Sequence, residues 1–208
     1  MNSAPRITLI TFQEKKVISE LNSRGIVRVP ESFTPKAGNG SLFNPDFNFG
    51  YNWIKTKMKI KIGSYQHNSF PYWCIYLPKE LQTKERLEEI KEVFCEPGRK
   101  ILILNVPVSE CFFSSFDLFD GYILRKRFLG SDEETLNFYR NILSKNEYLE
   151  LDNLNLYDQL PNKMKAEIIN SFSKAEIPFD EEKIQELILS GDFVQVTIPE
   201  IRKEFLIK

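Results

Sequence analysis

The stretch Phe193-Val194-Gln195-Val196-Thr197-Ile198 decides the fold, because it is a late strand that follows a long helical segment. Aliphatic and polar residues alternate along it with the period of two that is typical of a β-strand. Its three aliphatic residues therefore bury one face, and Gln195 and Thr197 lie on the other. A strand that follows helices usually returns to a sheet formed earlier in the chain. We therefore predict an α+β fold, with one mixed β-sheet, helices packed on it and the C-terminal strand returning to the sheet.

The upstream segments predict the rest of that sheet and its helices. Residues 6–30 predict strand, helix and strand, with Gly25 at the helix end, and residues 70–76 predict an aromatic strand. Residues 101–104 are apolar on both faces, which is typical of a central, buried strand. Residues 116–190 predict a mainly helical segment. At 208 residues, the whole chain (1–208) is expected to form one domain.

The segment around residues 55–62 fits either a helix or a strand. Its lysines alternate with other residues at the period of a strand: Lys55, Lys57, Lys59 and Lys61. An apolar stripe at helical spacing also runs through it, and this stripe begins upstream at Tyr51. We favour the helix because the stripe extends beyond the lysines.

Composition excludes several classes of protein. The 28 Lys and Arg residues and 29 Asp and Glu residues give a net charge of −1, so no global field attracts nucleic acid or anionic lipid. No apolar run approaches the ~20 residues of a membrane span, and the N-terminus lacks the layout of a secretory signal, so we expect a cytoplasmic protein with no membrane partner. Cys74, Cys95 and Cys111 are expected to be reduced, structural thiols. A single histidine, His67, excludes two-histidine metal motifs, and we predict no metal site.

Basic residues form the first group of candidate binding residues. They are the four lysines above, Arg99, Lys100 and the cluster Arg125-Lys126-Arg127. Beside Tyr51 and Trp53, such charges could contact the phosphates of a single-stranded nucleic acid while the rings stack on bases. A solvated charged surface is the alternative interpretation. His67 lies in a polar loop, where it is either a general base or a solvent-facing turn residue.

Polar residues at strand ends and on the last strand form the second group. Ser115 and Asp117 follow a strand, where side chains often line sites, but Asp117 could instead cap the helix that we expect to begin at Leu118. Gln195 and Thr197 could face a ligand or form a polar outer surface.

The chain resembles a bacterial family of domains of unknown function over nearly its full length. The matching stretches are Thr11-Phe12-Gln13, Tyr51-Asn52-Trp53-Ile54 with Met58, Phe70-Pro71-Tyr72-Trp73, Val106-Pro107, Ser114-Ser115-Phe116-Asp117, Val194-Gln195-Val196-Thr197 and Glu200-Ile201. Members typically carry an acidic residue at the position of Ser115 and an aromatic pair at Ile198-Pro199. The resemblance implies a domain identity and no established activity.

The order of elements is also similar to that of ADP-ribosyltransferase toxins. That resemblance implies NAD as cofactor, with Thr11 on its ribose and Gln195 facing the reacting sugar as the catalytic pair. With this hypothesis we predict ligand-binding residues at Tyr51, Trp53, Trp73, Ser115 and Asp117, of which Tyr51 and Trp53 would form the walls of the nicotinamide pocket. This sequence has Leu9 where the family has histidine, and Gln195 where it has glutamate; Glu200 is the alternative carboxylate. The implied function is an NAD-using toxin or defence effector with an antitoxin-like partner.

A non-catalytic module that binds protein or RNA through the aromatic and lysine surface around residues 51–73 is the alternative function. Geometry distinguishes the two hypotheses. The transferase requires Thr11, Ser115 and Gln195 to converge on one cleft.

Overall fold

The computed structural model describes residues 5–31, 47–79, 82–140, 142–143, 156–191 and 193–207. The strands, numbered along the chain, are β1 (Arg6–Glu14), β2 (Ile26–Val27), β3 (Tyr72–Tyr76), β4 (Arg99–Pro107), β5 (Phe112–Ser115), β6 (Val194–Ile198) and β7 (Ile201–Arg202). The longer helices are α1 (Lys15–Arg24), α2 (Phe47–Lys61), α3 (Lys84–Phe94), α5 (Asp132–Tyr139), α6 (Asn162–Ser171) and α7 (Glu181–Leu189). The short α4 (Phe116–Leu118) continues as a π-helix over Phe119–Ile123. The α+β prediction is confirmed, and so is the helix predicted across residues 55–62.

Five strands form the main sheet, in the order β4-β1-β3-β6-β5, and the strand that ends the helical segment returns to it as predicted. β6 lies between β3 and β5, and all five of its residues are buried. The sheet is antiparallel, where we expected a mixed sheet. A mixed sheet needs a parallel crossover connection, and the helical segment between β5 and β6 returns the chain in the antiparallel sense instead.

The register fixes which residues share a face of the sheet. Ile10 lies opposite Ile75, and Ile75 lies opposite Gln195, so these three side chains point the same way. Trp73 pairs with Thr197 on that face. Helix α2 packs there, because the Thr197 hydroxyl donates to the Met58 sulfur at 3.3 Å. We call this side of the sheet the α2 face.

Helix α3 covers another part of the α2 face. Ile10, Phe12, Leu77 and Ile90 form a buried cluster, and Phe193 packs against it. The α3 N-terminus is capped by the Thr83 hydroxyl, which accepts from the backbone N–H of Arg86. The two helices together bury the apolar residues of the α2 face.

The residues of 101–104 do not form the predicted central strand. They belong to β4, which is an edge strand, and Ile101 is 37% exposed. A continuous apolar run indicates burial on two faces but not the order of strands. Within the described residues, Leu206 bridges Leu104 and Ile207 donates to the Ile103 carbonyl, so the C-terminal segment covers part of this edge.

Strand β2 also differs from the prediction, because it does not join the main sheet. β2 pairs with β7 in a separate two-stranded sheet, with Val27 opposite Ile201. Helix α1 ends before it at Gly25, whose positive φ of 77° suits glycine.

The described residues cluster into two compact units. The first takes its residues from 1–33, 51–114 and 178–208, and it contains both sheets. The second takes its residues from 34–50 and 115–177. Within the second unit the Phe49 ring contacts the rings of Tyr157 and Phe172, and a Cβ at Gly50 would overlap the side chains of Leu124 and Phe119. None of the helices in the described ranges is both long and apolar enough to span a bilayer.

Candidate functional site

Thr11 and Gln195, the predicted catalytic pair, lie on opposite faces of the main sheet. Gln195 shares the α2 face with Ile10 and Ile75 through the strand register. Thr11 follows Ile10 and therefore points to the other face, where its side chain interacts with the Cys74 thiol. Its hydroxyl donates to the Trp73 carbonyl at 2.7 Å. The sheet itself therefore separates the two side chains.

Gln195 lies in the core and faces neither solvent nor an open cleft. It is 2% exposed, and neither amide atom has a hydrogen-bond partner among the described residues. Ser114 on the neighbouring strand is fully buried and also lacks a partner for its hydroxyl. Phe112 contacts Trp53 of α2, so the alternation of β5 places Ser114 on the α2 face with Gln195. A buried polar group without a partner costs about 1–3 kcal/mol.

The predicted ligand-binding aromatic residues form the layer beneath α2. Tyr51 contacts the rings of Phe70 and Trp73, with centroids 5.6 and 5.5 Å away. Burial raises the pKa of Tyr51 to about 12. Trp53 packs separately against Phe112 and is 6% exposed. Trp53 is therefore buried, while Tyr51 and Trp73 are partly buried and pack against each other.

Ser115 and Asp117 belong to the start of α4. The Ser115 hydroxyl accepts from the backbone N–H of Leu118 at 3.3 Å and caps the helix. The helix begins at Phe116 and not at Leu118, so Asp117 lies in its first turn and is not its cap. A carboxylate in that turn suits the positive end of the helix dipole.

The lysines of α2 form a surface that we call the lysine face: Lys55, Lys57, Lys59 and Lys61, with Thr56 and Ile60 between them. At about 100° per residue, Lys55 and Lys59 follow one flank of the helix and Lys57 and Lys61 follow the other. Ile60, on the crest between them, is 75% exposed. The helix sequence contains no Asp or Glu.

Aromatic rings hold three of these lysines in place. The ammonium groups of Lys55, Lys57 and Lys61 lie 5.1, 5.9 and 5.3 Å from the ring centres of Phe70, Trp53 and Phe112, respectively. Such cation–π contacts hold the flexible lysine side chains against the rings. The aromatic layer therefore supports the lysines from below.

Lys55 and Lys59 repel each other on their shared flank. Burial lowers the pKa of Lys55, and the charge of Lys59 lowers it further. The Lys59 ammonium donates to the Asn68 side chain at 3.0 Å, which holds it near the loop that carries His67. An anion placed between the two lysines would relieve their repulsion.

A buried carboxylate lies at the end of the lysine face. Glu200 is 5% exposed and accepts from Arg28 Nε at 2.6 Å and from Arg202 Nε at 2.7 Å. Arg202 also binds Glu110, with contacts of 3.1 Å. Burial alone would raise the pKa of Glu200, but the hydrogen bonds from Arg202 and Arg28 outweigh it and lower that pKa.

His67 lies close to this ion pair and is not the solvent-facing turn residue of the simpler interpretation. Both of its ring nitrogens are shielded from solvent and lack a hydrogen-bond partner among the described residues. Burial and then the charge of Arg28 lower the pKa of His67, while Glu200 opposes this shift. Its ring packs edge-on against Tyr65, with centroids 4.8 Å apart.

Three of the other predicted basic residues, Arg99, Arg125 and Lys126, make local contacts. In the second unit, Arg125 pairs with Asp120 at 3.5 Å. Lys126 lies over the rings of Phe49 and Tyr157. At the start of β4, Arg99 pairs with Glu96 at 2.8 Å. These three side chains are therefore engaged by their neighbours.

The three cysteines are free thiols, as predicted. Burial raises the pKa of Cys74 to about 12, and it also raises the pKa of Cys111. Both thiols therefore stay protonated at neutral pH. In the described part of the chain, no group of three His, Cys, Asp or Glu residues could hold a metal ion.

One cleft of about 390 Å³ lies near the C-terminal end of α7. Its lining residues are Arg86, Glu89, Ile188, Leu189, Gly191 and Phe193. None of the predicted site residues is among them.

The charged neighbours of His67 are distant from it in the chain, so the local sequence does not mark this residue as part of a site. Arg28 and Glu200 are 172 residues apart, so no local motif shows that they meet beside the histidine. The rarity of histidine was the available signal, since this chain has one.

Comparison with family models identifies the chain as a member of the family described as "Domain of unknown function (DUF3841)". The match covers residues 8–207, and one family domain therefore includes residues of both compact units. No curated protein and no solved structure matches the chain significantly.

Proposed function

We propose that this member of the DUF3841 family is a module that binds single-stranded RNA through the lysine face of α2. The observation that carries the proposal is the arrangement of four lysines on one helix that has no carboxylate of its own. Phosphate groups supply the complementary charge.

The lysines form two rows, Lys55 with Lys59 and Lys57 with Lys61, and this arrangement suits the flexible backbone of a single-stranded nucleic acid. Within each row the lysines are one turn apart, about 6 Å along the helix. The rows lie on two flanks of one helix, and a single strand can bend so that its phosphates meet both. The repulsion between Lys55 and Lys59 favours an anion on that flank.

Binding through phosphates alone implies weak sequence preference. Trp53 is buried against Phe112, and Tyr51 and Trp73 pack on each other, so we expect stacking on bases to contribute little. Phosphate contacts position a nucleic acid but do not read its sequence. We expect oligonucleotides of different sequence and equal length to bind with similar affinity.

We do not propose the NAD-using transferase. That chemistry needs Thr11 and Gln195 to reach the same ligand, and the sheet separates them. Gln195 also lacks the charge that stabilises a ribosyl cation.

Fluorescence anisotropy with a labelled, unphosphorylated RNA tests the proposal. We expect replacement of all four lysines by glutamine to weaken binding at least tenfold, because each lysine–phosphate interaction is worth roughly 1 kcal/mol. The matched control is Lys15→Gln with Lys16→Gln, two exposed lysines on α1. Equal weakening in both variants, or no binding by the wild type, would contradict the proposal.

An acidic protein is the second candidate partner, and the exposure of Ile60 favours it. An isoleucine that is 75% exposed between two lysine rows is typical of a protein contact more than of a phosphate contact. Ile60→Ser should leave RNA affinity within about twofold if phosphates dominate binding. A decrease of tenfold or more in RNA affinity would contradict binding dominated by phosphates.

A further inference from the structure

Three segments that are distant in sequence bring basic groups together at one end of the lysine face. Arg28 follows β2, Lys59 belongs to α2, and His67 lies in the loop after α2. Lys59 donates to the side chain of Asn68, the residue after His67, at 3.0 Å, and both Arg28 and Lys59 act on His67 electrostatically. The three side chains therefore form one cluster, which we call the His67 cluster.

The carboxylate at this cluster is already neutralised by guanidinium groups. Glu200 accepts from Arg28 through Nε and from Arg202 through Nε. Arg28 keeps its Nη donors beyond that bond, and its side chain is 52% exposed. Arg28 can therefore hold Glu200 and present further donors outward.

His67 lacks a hydrogen-bond partner among the described residues, although charged groups surround it. The groups that act on it are Arg28, Glu200, Glu31 and Lys59, and its ring packs on Tyr65. A neutral imidazole in this place carries two polar nitrogens that are shielded from water. An anion added next to the ring would favour its protonated form through charge.

We propose that Arg28, Lys59 and His67 form a binding site for a terminal phosphate group, which shares Lys59 with the lysine face. A terminal phosphate carries a charge of about −1.5 to −2 at neutral pH, more than the single charge of an internal phosphodiester. A cluster with two permanent cations and a protonatable histidine matches that larger charge. Since the site adjoins the lysine face, this inference rests on the proposed RNA binding. It adds that the protein recognises the phosphorylated end of the RNA.

The site also couples binding to protonation. Because His67 is shielded and next to Arg28, it is neutral in the free protein at neutral pH. The dianion raises the affinity of the imidazole for a proton, and the complex takes up a proton from the buffer. His67 acts here through its charge, since its ring nitrogens are covered.

The experiment compares one RNA sequence in three forms: with a 5′-phosphate, with a 3′-phosphate and with neither. We expect one of the phosphorylated forms to bind about tenfold more tightly than the unphosphorylated form, the gain typical of one or two charge-assisted hydrogen bonds. Calorimetry in two buffers of different ionisation enthalpy should show proton uptake with that form. The His67→Gln variant should show no proton uptake and should lose most of the gain in affinity for the phosphorylated RNA.

Further variants separate the site from the fold and from the lysine face. Arg28→Lys keeps the charge but loses the guanidinium, and we expect it to reduce the advantage of the phosphorylated form. Arg24→Lys on α1, a mostly exposed residue paired with Glu20, is the matched control. Thermal unfolding of His67→Gln shows whether the variant is folded.

The outcomes distinguish this inference from the proposed function. If all three RNA forms bind equally and the lysine variants weaken them all, the terminal-phosphate site is contradicted and RNA binding stands. If none of the forms binds, both proposals fail. Inorganic phosphate, added as a competitor, shows whether the site prefers the free ion or the end of an RNA strand. If micromolar phosphate removes the tenfold gain in affinity of the phosphorylated RNA, the site exists and its ligand is the free ion.

Discussion

Thr11 and Gln195 lie back to back across one β-sheet, each 2% exposed. The Thr11 hydroxyl is engaged with the Trp73 carbonyl and accepts from Gln13 Nε2 at 2.8 Å. The Gln195 amide has no partner among the described residues. The two residues therefore lie in different environments, on opposite faces of the sheet, and cannot form one catalytic pair in this structure.

Thr11→Val and Gln195→Met should affect stability independently. Residues on opposite faces with no shared partner usually show additive free energies within about 0.5 kcal/mol. Urea unfolding of the two single variants and of the double variant measures the coupling.

Titration calorimetry of the wild-type protein should show no saturable NAD binding. NAD binding that both single variants abolish would instead support the transferase.

Gln195→Met should stabilise the protein by about 1–2 kcal/mol, because it removes an unpartnered amide and keeps the volume of the side chain. Thermal or urea unfolding measures the effect. Thr197→Val is the control on the same strand face, since the Thr197 hydroxyl does have a contact, with the Met58 sulfur. A destabilised Gln195→Met variant would mean that the amide has a partner, such as a buried water.

Local signals predicted the elements of this fold well, and long-range pairing decided what they missed. The alternation of β6 and the glycine at the end of α1 both act within a few residues, so the sequence shows them. The edge position of β4 depends on which strands pair with β1, which an apolar run does not encode. The meeting of His67 with Arg28 and Glu200 depends on the turn between β6 and β7, more than 120 residues after the histidine.

The candidate site was predicted in part. The lysines and the aromatic residues of α2 are neighbours as expected, but the rings lie beneath the lysines instead of beside them. A helical stripe through Tyr51 and Met58 indicates which face is buried. The sequence does not show that Trp53, which the ligand hypothesis uses, is buried.

Glu200→Gln should reduce stability most at neutral pH and leave it nearly unchanged in acid. The pKa of Glu200 is lowered in the folded protein, so its contribution is complete above the unfolded pKa and is lost as the pH falls through the folded value. We expect the free energy of unfolding to decrease by about 2 kcal/mol at pH 7, a value between those of exposed and of buried ion pairs. Urea unfolding from pH 7 down to acid measures it.

Glu88→Gln is the control for this pH series. Glu88 pairs with Lys91 on the surface of α3, with both side chains more than half exposed. It should change stability by less than about 0.5 kcal/mol at any pH. A Glu200→Gln variant with the same flat profile would contradict the role of the Arg28–Glu200–Arg202 network.

The salt dependence of RNA binding tests the central claim most directly. If the four lysines of α2 contact phosphates, the plot of log K against log salt concentration for unphosphorylated RNA should have a slope of about −3, since each contact with a single strand contributes about −0.7. Replacing Lys55 and Lys59 by glutamine should halve that slope, and the Lys15 and Lys16 control should leave it unchanged. A slope near zero for the wild type, or one that the α2 variants do not alter, would contradict the account.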